Sequence, residues 1–107
     1  MTTQRRQFRM PISRSGLVAK DHTTSLCNIV DITEEGLQFS TDLFLSMSDT
    51  VRIECQLDAE CIIQCEIVIA HAEAPHYGGR IMHLLPEHQQ QLALFIQRLI
   101  TSSMAGL

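Results

Sequence analysis

From residue 50 to 57 the chain alternates, with Val51, Ile53, Cys55 and Leu57 apolar and Thr50, Arg52, Glu54 and Gln56 polar. A period of two puts each set on one face, which predicts a strand with one side buried. The pattern resumes over 61–71, where Cys61, Ile63, Cys65, Ile67 and Ile69 form an inward row and Gln64 and Glu66 face water. Asp58-Ala59-Glu60 between the two runs suits a hairpin. Further strands are expected at 15–20, 25–31, 36–40 and 76–84, with Gly16, Gly36 and Gly78-Gly79 marking turns, bulges or tight backbone approaches. The period then changes. Pro86 favours a first helical turn, and Leu92, Phe95, Ile96, Leu99 and Ile100 recur at spacings of three and four, which predicts a helix over 86–103 with fraying from Ser102 onward.

The expected fold is therefore all-β with one C-terminal α-helix. Six short antiparallel strands in 107 residues favour a closed barrel, which leaves no long unpaired edge. The apolar stripe of the helix either caps the barrel mouth or meets a partner's helix. No repeat or linker divides the chain, so one domain is expected: an N-terminal arm over 1–13, a β-barrel over 14–85 and the helix over 86–103.

Composition adds boundaries rather than detail. With 45% hydrophobic and 19% charged residues, the chain suits a globular domain with a modest core. No apolar run has the length of a membrane span, and no secretory core follows the first arginines, so a cytoplasmic protein with no membrane association is expected. Cys27, Cys55, Cys61 and Cys65 are read as reduced, buried small hydrophobes. The Cys61/Cys65 pair lacks the second Cys or His pair that zinc sites use, and no metal ligand is expected.

Charge changes the picture more. The net charge of −4 argues against general DNA or RNA binding, but the average conceals an asymmetry. Residues 1–20 contain Arg5, Arg6, Arg9, Arg14 and Lys20 and no acid; the rest contains Arg52, Arg80 and Arg98 against all 12 acids. A basic arm leads an acidic body.

Catalytic constellations are not evident. His22, His71, His76, His83 and His88 are scattered without the helical His/Glu spacing of a hydrolytic zinc site. No serine has a nucleophile-elbow context and no phosphate-cradling P-loop is present, so no catalytic residues and no enzyme activity are expected.

Two segments remain: the arm Arg5-Arg6-Gln7-Phe8-Arg9 and the turn Asp31-Ile32-Thr33-Glu34-Glu35-Gly36. Each alone is weak, since terminal arginines are commonly solvated and an Asp-x-Thr turn ending in Gly commonly satisfies backbone donors. Together, in this order, they resemble the PilZ family of bacterial cyclic di-GMP receptors, whose signature is RxxxR in an N-terminal arm followed by [D/N]xSxxG on the barrel. Arg5 and Arg9 match the two arginines, Arg6 the frequent additional one, and Asp31 and Gly36 the ends of the second motif, while Thr33 stands where Ser is usual. Tyr77-Gly78-Gly79-Arg80-Ile81 and the closing helix also suit such a domain. The resemblance implies a six-stranded antiparallel PilZ-like β-barrel, no cofactor, cyclic di-GMP as ligand, an unidentified protein partner, and an output in motility, biofilm formation or virulence.

The chemistry fits that ligand, which carries two phosphodiesters and two guanines. A guanidinium makes paired hydrogen bonds to phosphate or to guanine O6 and N7, and it stacks on a base. The carboxylate of Asp31 suits the N1 and N2 donors that distinguish guanine. The Thr33 hydroxyl donates or accepts as Ser does, with a methyl that stiffens it. Gly36 allows either a positive φ or a close approach to ligand, or simply meets a turn requirement. Arg80 is either a further phosphate contact or a solvent-facing strand residue. The expected ligand-binding set is Arg5, Arg6, Arg9, Asp31, Thr33 and Gly36, with residues 1–9 mobile until ligand orders them. Two rivals stand beside this reading: a PilZ-like adaptor that binds protein but no nucleotide, and a small barrel for single-stranded nucleic acid using Arg5, Arg6, Arg9 and Arg14. With no Trp, one Tyr and four Phe, the second has few stacking platforms. A homodimer through the last helix is compatible with all three.

Overall fold

The computed structural model describes residues 10–105, and side chains from 11 to 102. Its elements are β1 (Met10–Lys20), β2 (Thr23–Ile32), β3 (Gly36–Thr41), β4 (Thr50–Asp58), β5 (Cys61–Glu73), β6 (His76–Leu84) and α1 (Pro86–Ala105). The strands close antiparallel in the order β1-β2-β3-β6-β5-β4, so the expected all-β barrel with a C-terminal helix is the observed fold.

β4 and β5 follow the alternation closely. Val51, Ile53, Cys55 and Leu57 meet Cys61, Ile63, Cys65 and Ile67 inside the barrel, with Ile53 opposite Cys65 and Cys55 opposite Ile63. The Asp58 carboxylate closes their hairpin by accepting the Glu60 N–H at 2.8 Å. All four cysteines are buried and free. Desolvation raises their pKa, to about 11 for Cys27 and about 12 for Cys55 and Cys65, which makes them unreactive core residues rather than chemistry.

β1 begins at Met10, earlier than the expected residue 15, and so takes residues 10–13 out of the arm. Pro11 lacks an N–H and breaks the pattern, but β4 pairs with β1 only over residues 16–19, and the register on the β2 side shifts between Pro11 and Arg14. A singly paired, bulged stretch tolerates proline. The helix continues through Ala105, past the expected end at 103.

The stripe of α1 caps the barrel. Leu92, Phe95 and Ile96 are buried, and Leu99 and Ile100 pack beside them. Arg14, read as part of the basic arm, is instead a tie at this end: its Nε donates to the Leu57 carbonyl and its guanidinium lies 5.7 Å from the centre of the Phe95 ring. Arg98 adds a 2.8 Å ion pair to Asp58, and its hydrogen bond holds that carboxyl below the usual carboxylate range. At the opposite end, the β3–β4 loop buries Leu45, whose N–H donates to the Tyr77 hydroxyl at 3.3 Å. No helix among the described residues is long and apolar enough to cross a membrane.

Candidate functional site

The turn between β2 and β3 is organised by Thr33. Its N–H donates to the Gly36 carbonyl at 2.8 Å. Its Oγ1 accepts the N–H groups of Glu35 and Gly36, both at 3.1 Å, and donates back to the Gly36 carbonyl at 3.3 Å. The Thr33 hydroxyl thus bonds within the turn, where a serine would make the same bonds. Threonine in place of serine therefore keeps the turn intact.

Of the readings of Gly36 open at the level of sequence, the structure fits the tight backbone approach. No described glycine has positive φ. A Cβ on Gly36 would lie 2.5 Å from the carbonyl oxygen of Gly79, on the facing strand β6, and one on Gly79 would lie 2.7 Å from the Val68 carbonyl. The glycine is demanded by close strand approach, and the Ile81 N–H bonded to the Glu35 carbonyl at 2.8 Å carries the β3–β6 contact into the turn.

Two β-bulges aim the polar residues. Ile29 pairs with Phe39 and Asp31 with Gln38, so Val30 is the extra residue in β2. Alternation from Cys27 and Ile29 would send Asp31 into the core; the bulge turns it out to a half-buried position and leaves Ile32 buried. In β5, Ile69 pairs with Gly79 and His71 with Gly78, which makes Ala70 extra. His71 would continue the buried row of Cys61, Ile63, Cys65, Ile67 and Ile69, but its side chain emerges 60% exposed, 3.4 Å from Glu73. Bulges commonly re-aim side chains in this way beside sites.

Both turned-out residues border one concavity of about 320 Å³, with Asp31, Thr33 and Gly36 on one side and His71, Gly78 and Arg80 on the other. The structure therefore brings Asp31, Thr33 and Gly36 together. Gly78 leaves bare backbone in its wall. Arg80 is exposed and also borders a neighbouring cleft of about 480 Å³ with Glu34, Glu35 and His83. Arg5, Arg6 and Arg9 lie outside the described residues, as does the expectation that residues 1–9 are mobile without ligand; the described chain starts with Met10 opposite Ile32 and Pro11 opposite Asp31. A larger hollow of about 640 Å³, lined by Leu17, Arg52, Glu54 and Glu66 among others, lies elsewhere on the barrel and contains none of the motif residues.

His71 was passed over in the sequence as one of five scattered histidines. The usable signal was its place on an otherwise apolar inward row, where an imidazole without partners is costly and a bulge is the simplest escape.

Among known families, the PilZ domain matches residues 3–98. Comparison with curated proteins finds no match. Among solved structures, the Bacillus subtilis inhibitor of motility (MotI/DgrA) superposes with a TM-score of 0.71 at 16% identity, over 94% of this chain and 53% of that protein. The chain thus spans about half the length of that neighbour, and the likeness is one of fold.

Proposed function

The chain belongs to the PilZ domain family, and on that premise we propose that it is a non-enzymatic receptor for cyclic di-GMP that changes the conformation of its N-terminal arm on binding and signals to a protein partner. The observation that carries this reading is the concavity shared by Asp31, Thr33 and Gly36, next to the strand edge where Pro11 faces Asp31. Covalent continuity leads from that edge into Arg5-Arg6-Gln7-Phe8-Arg9.

In this mechanism Arg5 and Arg9 clamp phosphate oxygens or the O6/N7 edge of guanine, with Arg6 adding charge, and Asp31 accepts from guanine N1 and N2. Thr33 and Gly36 act through the backbone: one fixes the turn and the other lets β3 lie against β6. The conformational change in the arm is what a partner reads. The name of the structural neighbour, an inhibitor of motility, supports motility as one output beside biofilm formation or virulence.

Titration calorimetry tests the reading. Cyclic di-GMP should bind, and Arg9→Ala should weaken it about ten- to a hundredfold, as loss of a charged hydrogen bond does, with the melting temperature unchanged. Absence of heat at high protein concentration would leave the protein-binding adaptor as the better account.

A further inference from the structure

We infer that His71 is a proton-linked contact for the anionic ligand, so that affinity rises as pH falls; this rests on the nucleotide reading of the site. The β5–β6 register shifts at two places, between Glu66 and Ile67 and between Ile69 and His71; the second, the Ala70 bulge, takes His71 from the inward row to the rim of the concavity. Escape from the core accounts for the bulge but not for what the ring meets afterwards. It emerges opposite Gly78, where the backbone carries no side chain, and a Cβ there would be 3.7 Å from that of His71. The same device turns Asp31 toward the same hollow from the other side. Two independent bulges that converge on one concavity, one presenting an acceptor and the other a titratable donor, are a built arrangement.

Glu73, on its own strand, is 3.4 Å away, Asp31 and Glu35 border the hollow from β2 and the turn, and Arg80 borders it from β6. The two phosphates of the ligand set the sign: they favour the charged ring, which donates a charge-assisted hydrogen bond. A ligand that binds the protonated form better raises the ring's hold on its proton. By reciprocity, lowering the pH through the histidine range tightens the ligand.

Calorimetry of cyclic di-GMP with the intact protein at about pH 8 and about pH 6 reads this directly. The wild type should bind about three- to tenfold more tightly at the lower pH. Repeating the titration in two buffers of different ionisation enthalpy should reveal proton uptake. His71→Gln, an exposed substitution that leaves the melting curve unchanged, should still bind but lose both the pH slope and the uptake. His22→Gln, in the β1–β2 turn at the opposite end, should keep both. Binding by the wild type without pH dependence, or a His71→Gln protein that keeps the wild-type slope, overturns the inference and leaves the receptor reading standing. No binding by the wild type at either pH overturns the receptor reading and this inference with it.

Discussion

The two walls of this barrel are built by different rules. The β4–β5 wall pairs without a break from Thr50–Val68 to Gln56–Ile62, and every residue of its inner face is an aliphatic side chain or a thiol. The wall of β2, β3, β6 and the end of β5 contains the bulges at Val30 and Ala70 and the glycines at 36, 78 and 79. One wall is stabilised by burial of apolar surface, the other is shaped by backbone approach and re-aimed side chains. The concavity lies wholly on the second. Regular pairing gives an even apolar face, and the departures from it shape the concavity that Asp31, Thr33 and Gly36 border.

Substitutions should separate the two walls. Ile63→Ala, in the regular wall, empties a fully buried position and should destabilise the domain by about 2–5 kcal/mol in chemical denaturation. Affinity for cyclic di-GMP per folded molecule should stay the same. Gly36→Ala should cost less stability, about 1–3 kcal/mol of overpacking strain, because β3 and β6 have to part to admit the methyl. Yet it should weaken the ligand strongly. A Gly36→Ala protein that binds normally would show that the close approach serves folding alone.

Thr33→Val removes the acceptor for two backbone N–H groups and should cost about 1 kcal/mol, with weakened binding through a loosened turn, whereas Thr33→Ser should leave both stability and affinity near wild type. Equal affinities for the Ser and Val proteins would remove the turn from the mechanism. The smallest effect concerns the helix. The Arg98 hydrogen bond lowers the pKa of Asp58, so the pair's contribution is present above the ordinary carboxylate pKa and is lost as pH falls through the lowered value, under about pH 4. Exposure and solvent screening keep it small. Melting curves against pH should show Asp58→Asn converging on the wild type in acid.

The regular wall was readable residue by residue, since Val51 through Leu57 and Cys61 through Ile69 alternate as they are placed. The helix was readable from its three- and four-residue spacing, through to the cap formed by Leu92, Phe95 and Ile96. Asp31, Thr33 and Gly36 were legible as a motif, and a donor-satisfying turn and a tight backbone approach were among the readings open for it. The Thr33 hydroxyl bonds are local, two and three residues along the chain, whereas the partner of Gly36 is a carbonyl 43 positions away at Gly79, which no local pattern encodes. His71 was legible only as a break in an apolar inward row, and the early start of β1 was hidden behind Pro11 and a register shift. Arg14 looked like its basic neighbours; only the fold sets it against Phe95.

The four buried thiols have a practical consequence. With desolvation raising the Cys27 pKa to about 11, thiolate at neutral pH is on the order of one part in ten thousand, and the sulfur is enclosed as well. An alkylating reagent therefore waits for the barrel to open, and its uptake is a clock for that opening. The thiols are distributed over β2, β4 and β5, so mass spectrometry distinguishes a barrel that opens whole, jumping from no label to four, from one that opens strand by strand through one and two. A ligand that holds the closed barrel slows the same clock without touching a single sulfur.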